Sequence, residues 1–184
     1  MLFVIEHLDP ELYEWSLAEY EHITEALGKE NVQFTNVKDC SKIDFAECKD
    51  KPIKELNPEK PCILDPEAEK TLEPSDKEKF ETFIFGGVLG NDPPEKRTED
   101  LLSKPSGFER RNLGKRQMST DTAAIVAWRI LQEEKKLSEL KFIDDPEIDV
   151  EENLSTTMPY RYLDDGTGKP LICKKVMKLI KKGW

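Results

Sequence analysis

Two short glycine-containing segments hold the residues with the clearest potential for chemistry. They are Phe85-Gly86-Gly87-Val88-Leu89-Gly90 and Leu113-Gly114-Lys115-Arg116-Gln117-Met118. Glycine has no Cβ, so the backbone can turn sharply there and approach a ligand. The second segment leads into a predicted helix through several hydroxyl side chains, and free N–H groups at a helix start can bind a polar or anionic ligand. A tight turn and a well-capped helix are the alternative explanations, although capping alone does not explain so many specialised residues.

The motifs and residue spacings argue against a nucleotide-hydrolysing site and against a zinc site. The glycine spacing is not GxGxxG, and GxxxxGK[ST] does not occur, so nucleotide hydrolysis is not indicated. The four cysteines form no CxxC pair, and the chain has only two histidines, which argues against a zinc site. We expect free thiols in a reducing compartment at Cys40, Cys48, Cys62 and Cys173.

The composition is that of one folded domain with an acidic surface. The chain has 184 residues, a hydrophobic fraction of 37% and a net charge of −10. Such a charge disfavours duplex binding and attracts a basic partner. Residues 95–116 nevertheless hold seven basic and four acidic residues, so a local RNA-binding surface remains an alternative. We see no signal peptide and no membrane span, so we expect a cytoplasmic protein.

Strand-like and helix-like segments alternate along the chain. Predicted strands lie at Leu2–Ile5, Val32–Val37, Cys62–Leu64, Phe83–Phe85 and Arg110–Leu113, and residues 38–61 form a surface excursion. Predicted helices run from Asp9-Pro10 to Gly28, from Ser75 to Phe80, from Ser119 or Thr120 onward, and from about Lys174. This pattern predicts an α/β fold with a mostly parallel sheet and helices on both faces. Ligands then bind beyond the carboxyl ends of the strands.

Both glycine segments, with their flanks, resemble a known family. Residues 83–94 and 113–123 are similar to the SPOUT methyltransferase superfamily, in the branch of the fungal ribosomal-protein arginine methyltransferase and its archaeal and protist relatives. Weaker matches are Val4–His7, Glu14-Trp15, Leu64–Pro66, Lys141–Asp144 and Met158–Tyr162; the departures are residues 38–61 and the end at Trp184. The resemblance implies a deep trefoil knot, which is rare among folds. It assigns 1–140 to the knotted domain and 141–184 to an extension packed on it.

The resemblance also implies S-adenosylmethionine bound in a bent shape. Methyl transfer is an in-line displacement, so we expect no metal. Adenine would meet Leu64, Phe85, Leu113 and Met118. Backbone around Gly86, Gly87, Gly90, Gly114 and Gln117 would hold the ribose and methionine parts. Asp65 is placed to reach a hydroxyl or an amine.

An arginine substrate would need a carboxylate beside it, because the guanidinium keeps its charge in water and pairs with carboxylates through planar hydrogen bonds. Glu6 is the first candidate, followed by Asp92 and Asp121; for Glu6 a structural hydrogen-bonding role is an equal alternative. His7 can relay a proton or be structural. Tyr160 and Arg161 can close over the cofactor or contact the substrate.

Three functions therefore remain open. The first is a methyltransferase that modifies an arginine in a basic ribosomal protein, acting as a monomer, although many members of the superfamily are dimers. The second is an RNA methyltransferase, and the third is a silent cofactor-binding protein. An acidic surface beside the cofactor pocket would favour the protein substrate, and a basic surface would favour RNA.

Overall fold

A central sheet of six parallel strands organises the chain. The computed structural model of the protein describes residues 1–89, 97–151 and 154–183. The strands are β1 (Leu2–His7), β2 (Val32–Thr35), β3 (Glu47–Cys48), β4 (Pro61–Leu64), β5 (Thr82–Gly87) and β6 (Glu109–Arg111). Their order across the sheet is β3-β2-β1-β5-β4-β6, and every neighbouring pair is parallel. The predicted α/β fold with a parallel sheet is confirmed.

Both faces of the central strands are buried, as their continuous apolar runs predict. On one face Phe3 packs against Phe83 and Phe85, with ring centroids 5.6 and 5.7 Å apart. On the other face Val4 and Ile84 belong to a separate apolar cluster. The sheet therefore separates two cores, and each needs its own cover.

Two long helices cover the aromatic face. They are α1 (Glu14–Leu27) and α4 (Thr120–Gln132), which pack against each other. On the other face, Ile53 and Leu102 from shorter helical pieces are buried against the sheet. The shorter pieces are α2 (Asp76–Lys79), a π-helix at Glu99–Ser103 that continues into α3 (Lys104–Ser106), and 3₁₀ turns at Lys29–Asn31, Cys40–Lys42, Ile53–Glu55 and Leu137–Glu139. Helical cover on both faces agrees with the sequence prediction.

The first helix begins later than the sequence indicated. Tyr13, not Asp9, is the residue before the first helical turn, so the prediction of a start at Asp9-Pro10 is wrong. The reason is competition for the Asp9 carboxylate, which accepts a hydrogen bond from the backbone N–H of Leu89 at 2.8 Å. Gly28, with φ +86°, ends the helix as predicted.

Residues 38–61 are more ordered than the sequence suggested. Strand β3 pairs with β2 at the edge of the sheet, and Cys40 and Cys48 form a disulfide with their Cα atoms 5.7 Å apart. The prediction of four free thiols is therefore wrong for these two cysteines, because the fold of the excursion brings them together. Cys62 and Cys173 are free and buried.

The C-terminal residues pack on the sheet domain. They form β7 (Phe142–Asp144), β8 (Glu147–Glu151), β9 (Leu154–Thr157), β10 (Arg161–Leu163) and α5 (Lys174–Lys181). Strands β7 and β10 pair antiparallel, as do β8 and β9, and α5 packs on α1. The backbone N–H of Arg161 donates to the carbonyl of Gln117 at 2.8 Å, which joins the extension to the second glycine segment. The division at residue 140 and the trefoil knot stay predictions.

Within the described ranges, no helix has the length and apolar character needed to cross a bilayer.

Candidate active site

A cavity of about 470 Å³ opens at the carboxyl ends of β4, β5 and β6. Its size lies within the range of small-molecule sites, and its position is where parallel α/β sheets bind ligands. The wall is formed by the ends of these strands, the residues that follow them, α1, α4 and the extension. Its residues include Trp15, Glu19, Leu64, Asp65, Phe85, Gly86, Leu89, Arg97, Leu113, Gly114, Gln117, Met118, Ser119 and Tyr160.

Four apolar side chains from three different strand ends meet in this wall. Leu64 ends β4, Phe85 lies in β5, and Leu113 and Met118 follow β6. The parallel register explains why Leu64 and Phe85 are neighbours, since they are direct partners across β4 and β5. These are the residues predicted to meet adenine; the structure brings them together, and the adenine contact itself stays a prediction.

The glycines divide into two roles. Gly86 and Gly114 line the cavity, and Gly114 has φ +91°. Gly87 does not line it: a Cβ at this position would lie 2.2 Å from the Tyr20 hydroxyl and 2.9 Å from Ile5 Cγ2. Gly87 is therefore required for packing against α1. Its predicted role toward the cofactor is untested, and Gly90 lies outside the described residues, as does Asp92.

Gln117 offers an acceptor that the fold leaves open. Its Oε1 is buried and has no hydrogen-bond partner among the residues that the structure describes. A buried acceptor without a donor costs free energy, so a ligand donor in the cavity would be stabilising. The amine and hydroxyl groups of S-adenosylmethionine supply such donors, and the apolar wall suits its adenine. The residues present therefore fit this cofactor.

Asp65 is already held in place by the protein. Its Oδ2 accepts from Arg110 Nη1 at 3.0 Å, and its Oδ1 accepts from the backbone N–H of Glu67 at 2.9 Å. The carboxylate is buried and lines the cavity. These bonds fix its orientation while leaving lone pairs that can accept from a ligand hydroxyl or amine.

Glu6 and His7 lie away from the cavity wall. Glu6 accepts hydrogen bonds from the Thr35 hydroxyl and from the backbone N–H of Ile53, and burial raises its pKa. His7 Nδ1 lies 2.9 Å from the Tyr20 hydroxyl, and burial lowers the pKa of this histidine. Both are buried among structural partners. The structure gives them packing roles, and their predicted part in the reaction stays untested.

Asp121 lies behind the wall rather than in it. Its Oδ1 accepts from the Ser119 hydroxyl at 2.6 Å and from the backbone N–H of Thr122 at 2.8 Å. Its Oδ2 lies 2.7 Å from His22 Nδ1. Ser119 lines the cavity, so the Asp121 side chain is linked to the cavity wall through that hydroxyl.

Besides Asp65, a second buried carboxylate residue lines the cavity: Glu19, which the sequence reasoning missed. It is 6% exposed, and Trp15 Nε1 donates to its Oε1 at 2.8 Å. The backbone N–H groups of Thr120 and Asp121, at the start of α4, lie near this carboxylate and act to lower its pKa. Burial first, and then the negative charge of Asp121, hold the pKa of Glu19 well above its ordinary value. The available signal was the i, i+4 spacing of Trp15 and Glu19, which places both on one side of α1.

Tyr160 and Arg161, the two residues predicted to contact the substrate, take different positions relative to the cavity. Tyr160 lines the cavity. Arg161 does not: its guanidinium donates to both Asp144 oxygens, at 2.7 and 2.9 Å, and lies 5.0 Å from the Phe142 ring centroid. Arg161 fixes the extension, and direct contact with substrate stays untested for both residues.

The basic residues near the cavity are mostly neutralised within the protein. In the described part of the basic stretch, 97–116, five of six basic side chains make ion pairs, and Lys115 is the exception. The five are Arg97 with Asp9, Lys104 with Asp100, Arg110 with Asp65, Arg111 with Asp76, and Arg116 with Asp145. No cluster of three metal-ligating side chains occurs among the described residues.

The comparisons with known proteins agree with this fold and site. A model of the family described as "Protein arginine N-methyltransferase SFM1-like" matches residues 2–184. The protein arginine N-methyltransferase SFM1 of Saccharomyces cerevisiae is 34% identical over 99% of this chain and 95% of that protein. The chain therefore belongs to the SFM1-like family of protein arginine N-methyltransferases.

Solved structures extend the comparison. The yeast arginine methyltransferase SFM1 complexed with SAH has a TM-score of 0.89 at 34% identity, covering 98% of this chain and 94% of that chain. Its complex with SAM has a TM-score of 0.91 at 33% identity, covering 98% and 90%. The dual-specific Trm10 from Thermococcus kodakaraensis, at 17% identity and TM-score 0.57 over 76% and 96%, shares the fold. The predicted SPOUT resemblance is confirmed, and with it the predicted class, an S-adenosylmethionine-dependent methyltransferase.

Proposed function

We propose that this protein methylates an arginine side chain of a basic ribosomal protein, with S-adenosylmethionine as the methyl donor. Family membership supports the arginine methyltransferase activity, and relatives solved with SAM and SAH support the donor. The ribosomal substrate and a monomeric state are parts of the proposal that rest on the sequence resemblance and the acidic charge of the chain, and a cytoplasmic location is kept as the expectation from the sequence.

The observation that carries the proposal is the Trp15–Glu19 pair in the cavity wall. A guanidinium is planar, pairs with carboxylates and lies well against aromatic rings. An indole next to a buried carboxylate supplies both features within one helical turn. This pair is therefore the best candidate receptor for an arginine side chain.

The raised pKa of Glu19 suits a cationic partner. Without a cation beside it, the buried carboxyl favours its neutral form. An arriving guanidinium offsets the cost of desolvation and therefore favours the charged form of Glu19. The site consequently selects a cation, and the chain needs no metal for this step.

The cofactor would be held by the apolar wall of Leu64, Phe85, Leu113 and Met118, together with Gln117. When bound, S-adenosylmethionine supplies an electrophilic methyl group on a sulfonium. The remaining work of the protein is orientation, since methyl transfer is an in-line displacement. Transfer to the guanidinium nitrogen releases one proton, and the Glu19 carboxylate beside it can accept this proton at an oxygen.

A protein substrate is favoured over RNA by the charges around the cavity. The ion-paired basic residues leave little positive surface for phosphates. The net charge of −10 attracts a basic polypeptide. RNA methylation remains the alternative that the experiment must separate.

The test is to incubate the purified protein with methyl-labelled S-adenosylmethionine and a ribosome fraction, and then to digest parallel samples with ribonuclease or protease. We expect label that survives ribonuclease and is released by protease. Label confined to RNA, or no label in either fraction, would contradict the proposal. For a Glu19→Gln variant in this assay, Glu21→Gln is the matched control, because Glu21 lies on the same helix but pairs with Lys175 at the surface.

A further inference from the structure

One wall of the cavity is held from outside the sheet by an ion pair. The backbone N–H of Leu89 donates to Asp9 Oδ2 at 2.8 Å, and its carbonyl accepts from Arg97 Nη1 at 3.2 Å. Arg97 Nη2 also donates to Asp9 Oδ1 at 2.7 Å, which closes a triangle of hydrogen bonds. Both polar backbone atoms of one wall residue are thus bound by two side chains.

The other wall residues considered above are fixed in a different way. Leu64 and Phe85 are fixed by the strand ladder between β4 and β5. Leu89 lies beyond the end of β5, so the sheet does not fix it. The Asp9 side chain is 4% exposed and that of Arg97 is 25% exposed, and such shielded, charge-assisted hydrogen bonds are stronger than those at the surface.

The two side chains also come from separate parts of the chain. Asp9 lies in the connection between β1 and α1, and Arg97 precedes the π-helix. Leu89 and Arg97 both line the cavity, whereas Asp9 stands behind them. Removing the pair would release a cavity wall while leaving the apolar clusters of the core unchanged.

We propose that Asp9 and Arg97 are positioning residues for the cofactor, which act by fixing Leu89 against it. The inference rests on the proposed function for the cofactor alone, and not for the methyl acceptor. The inference places Leu89 against the adenosine part of the cofactor, so it requires that a ligand without the amino-acid group depends on the pair as well.

The test is calorimetry with two probes, S-adenosylhomocysteine and methylthioadenosine, which lacks the amino-acid group. We expect Arg97→Met to weaken both by about 10-fold, roughly the worth of one charge-assisted hydrogen bond. Asp9→Asn, the milder change, should weaken both in the same direction, and the double variant should lose less than the sum, because the two residues act as a unit. Lys60→Met removes an exposed ion pair with Glu81, away from the cavity, and should leave both affinities unchanged.

Two results would overturn the inference. Weaker binding of S-adenosylhomocysteine alone would mean that Arg97 contacts the amino-acid group directly. Unchanged affinity for both probes in folded variants would mean that the pair does not position the wall; thermal unfolding of the ligand-free variants shows that they are folded. If the wild-type protein bound neither probe, the cofactor assignment itself would be wrong, which is a distinguishable failure.

Discussion

The Nε1 of Trp15 donates a 2.8 Å hydrogen bond to Oε1 of Glu19, one helical turn further along α1. This bond fixes the carboxylate at the cavity wall, where the N–H groups that begin α4 also face it. The carboxylate is therefore oriented before any substrate arrives. A fixed, buried carboxylate beside an indole is the feature from which the main predictions follow.

Replacing Glu19 by Gln should impair methyl transfer far more than cofactor binding. The amide keeps the size of the side chain and an acceptor for Trp15, but it can neither pair with a guanidinium as an anion nor accept a proton. We expect kcat/KM for the protein substrate to fall by about 100-fold or more, in the range of a positioned acid–base group. Affinity for S-adenosylmethionine, measured by calorimetry, should change by less than about 3-fold. Equal losses in both quantities would place Glu19 in the cofactor site.

The same substitution should alter the pH dependence of stability. The pKa of Glu19 in the folded protein is raised above its ordinary 4.5, so proton binding favours the folded state. This contribution is complete below pH 4.5 and is lost as pH rises through the raised pKa. The wild type should therefore lose stability relative to Glu19→Gln as the pH rises above 4.5. Urea unfolding of both proteins between pH 4 and pH 8 measures the difference, and a wild type that keeps or gains stability relative to Glu19→Gln as the pH rises would contradict the burial of this carboxyl.

Much of the scaffold, but less of the site, follows from the sequence. The apolar runs around Val4 and Ile84 predict central strands, since both faces of such strands are buried. The clustering of Leu64, Phe85 and Leu113 follows from the rule that strand ends share one edge. Glu19 could not be singled out, because a glutamate in a helix normally faces water and its burial depends on how α1 meets α4.

The disulfide was missed for a related reason. Cysteines eight residues apart carry no pairing signal until the chain between them folds back. Asp9 also has a different partner from the one local rules suggest, because its hydrogen bond to Leu89 joins residues far apart in the sequence. Local patterns define elements, whereas these contacts depend on the complete topology.

Gly87→Ala should destabilise the fold. An added Cβ would lie 2.2 Å from the Tyr20 hydroxyl, inside the core, and relieving that contact requires the strand or α1 to move. Overpacking of this kind costs about 1–3 kcal/mol or more. Chemical denaturation should show the loss, with Gly107→Asn as the control, because nothing lies within 4 Å of a Cβ there and Asn tolerates the left-handed backbone. Wild-type stability in Gly87→Ala would contradict the close approach of β5 and α1.

The cysteines should differ in their reaction with an alkylating reagent. Burial raises the pKa of Cys62 to about 12 and also raises that of Cys173, so few thiolates form near neutral pH. Cys40 and Cys48 should be protected as a disulfide and become reactive after mild reduction. Mass spectrometry of the native protein, labelled before and after reduction, checks this pattern. Labelling of Cys40 or Cys48 without reduction would contradict the pairing.

The most direct test of the central claim is to identify the methylated amino acid and its dependence on Glu19. Ribosomal proteins are incubated with the enzyme and isotopically labelled S-adenosylmethionine, digested, and analysed by mass spectrometry. The Trp15–Glu19 receptor predicts labelled methyl groups on arginine with the wild-type enzyme and a loss of about 100-fold with Glu19→Gln. Labelled methyl groups on another residue type, or on arginine at the wild-type rate with Glu19→Gln, would contradict the claim that this carboxylate binds the substrate guanidinium.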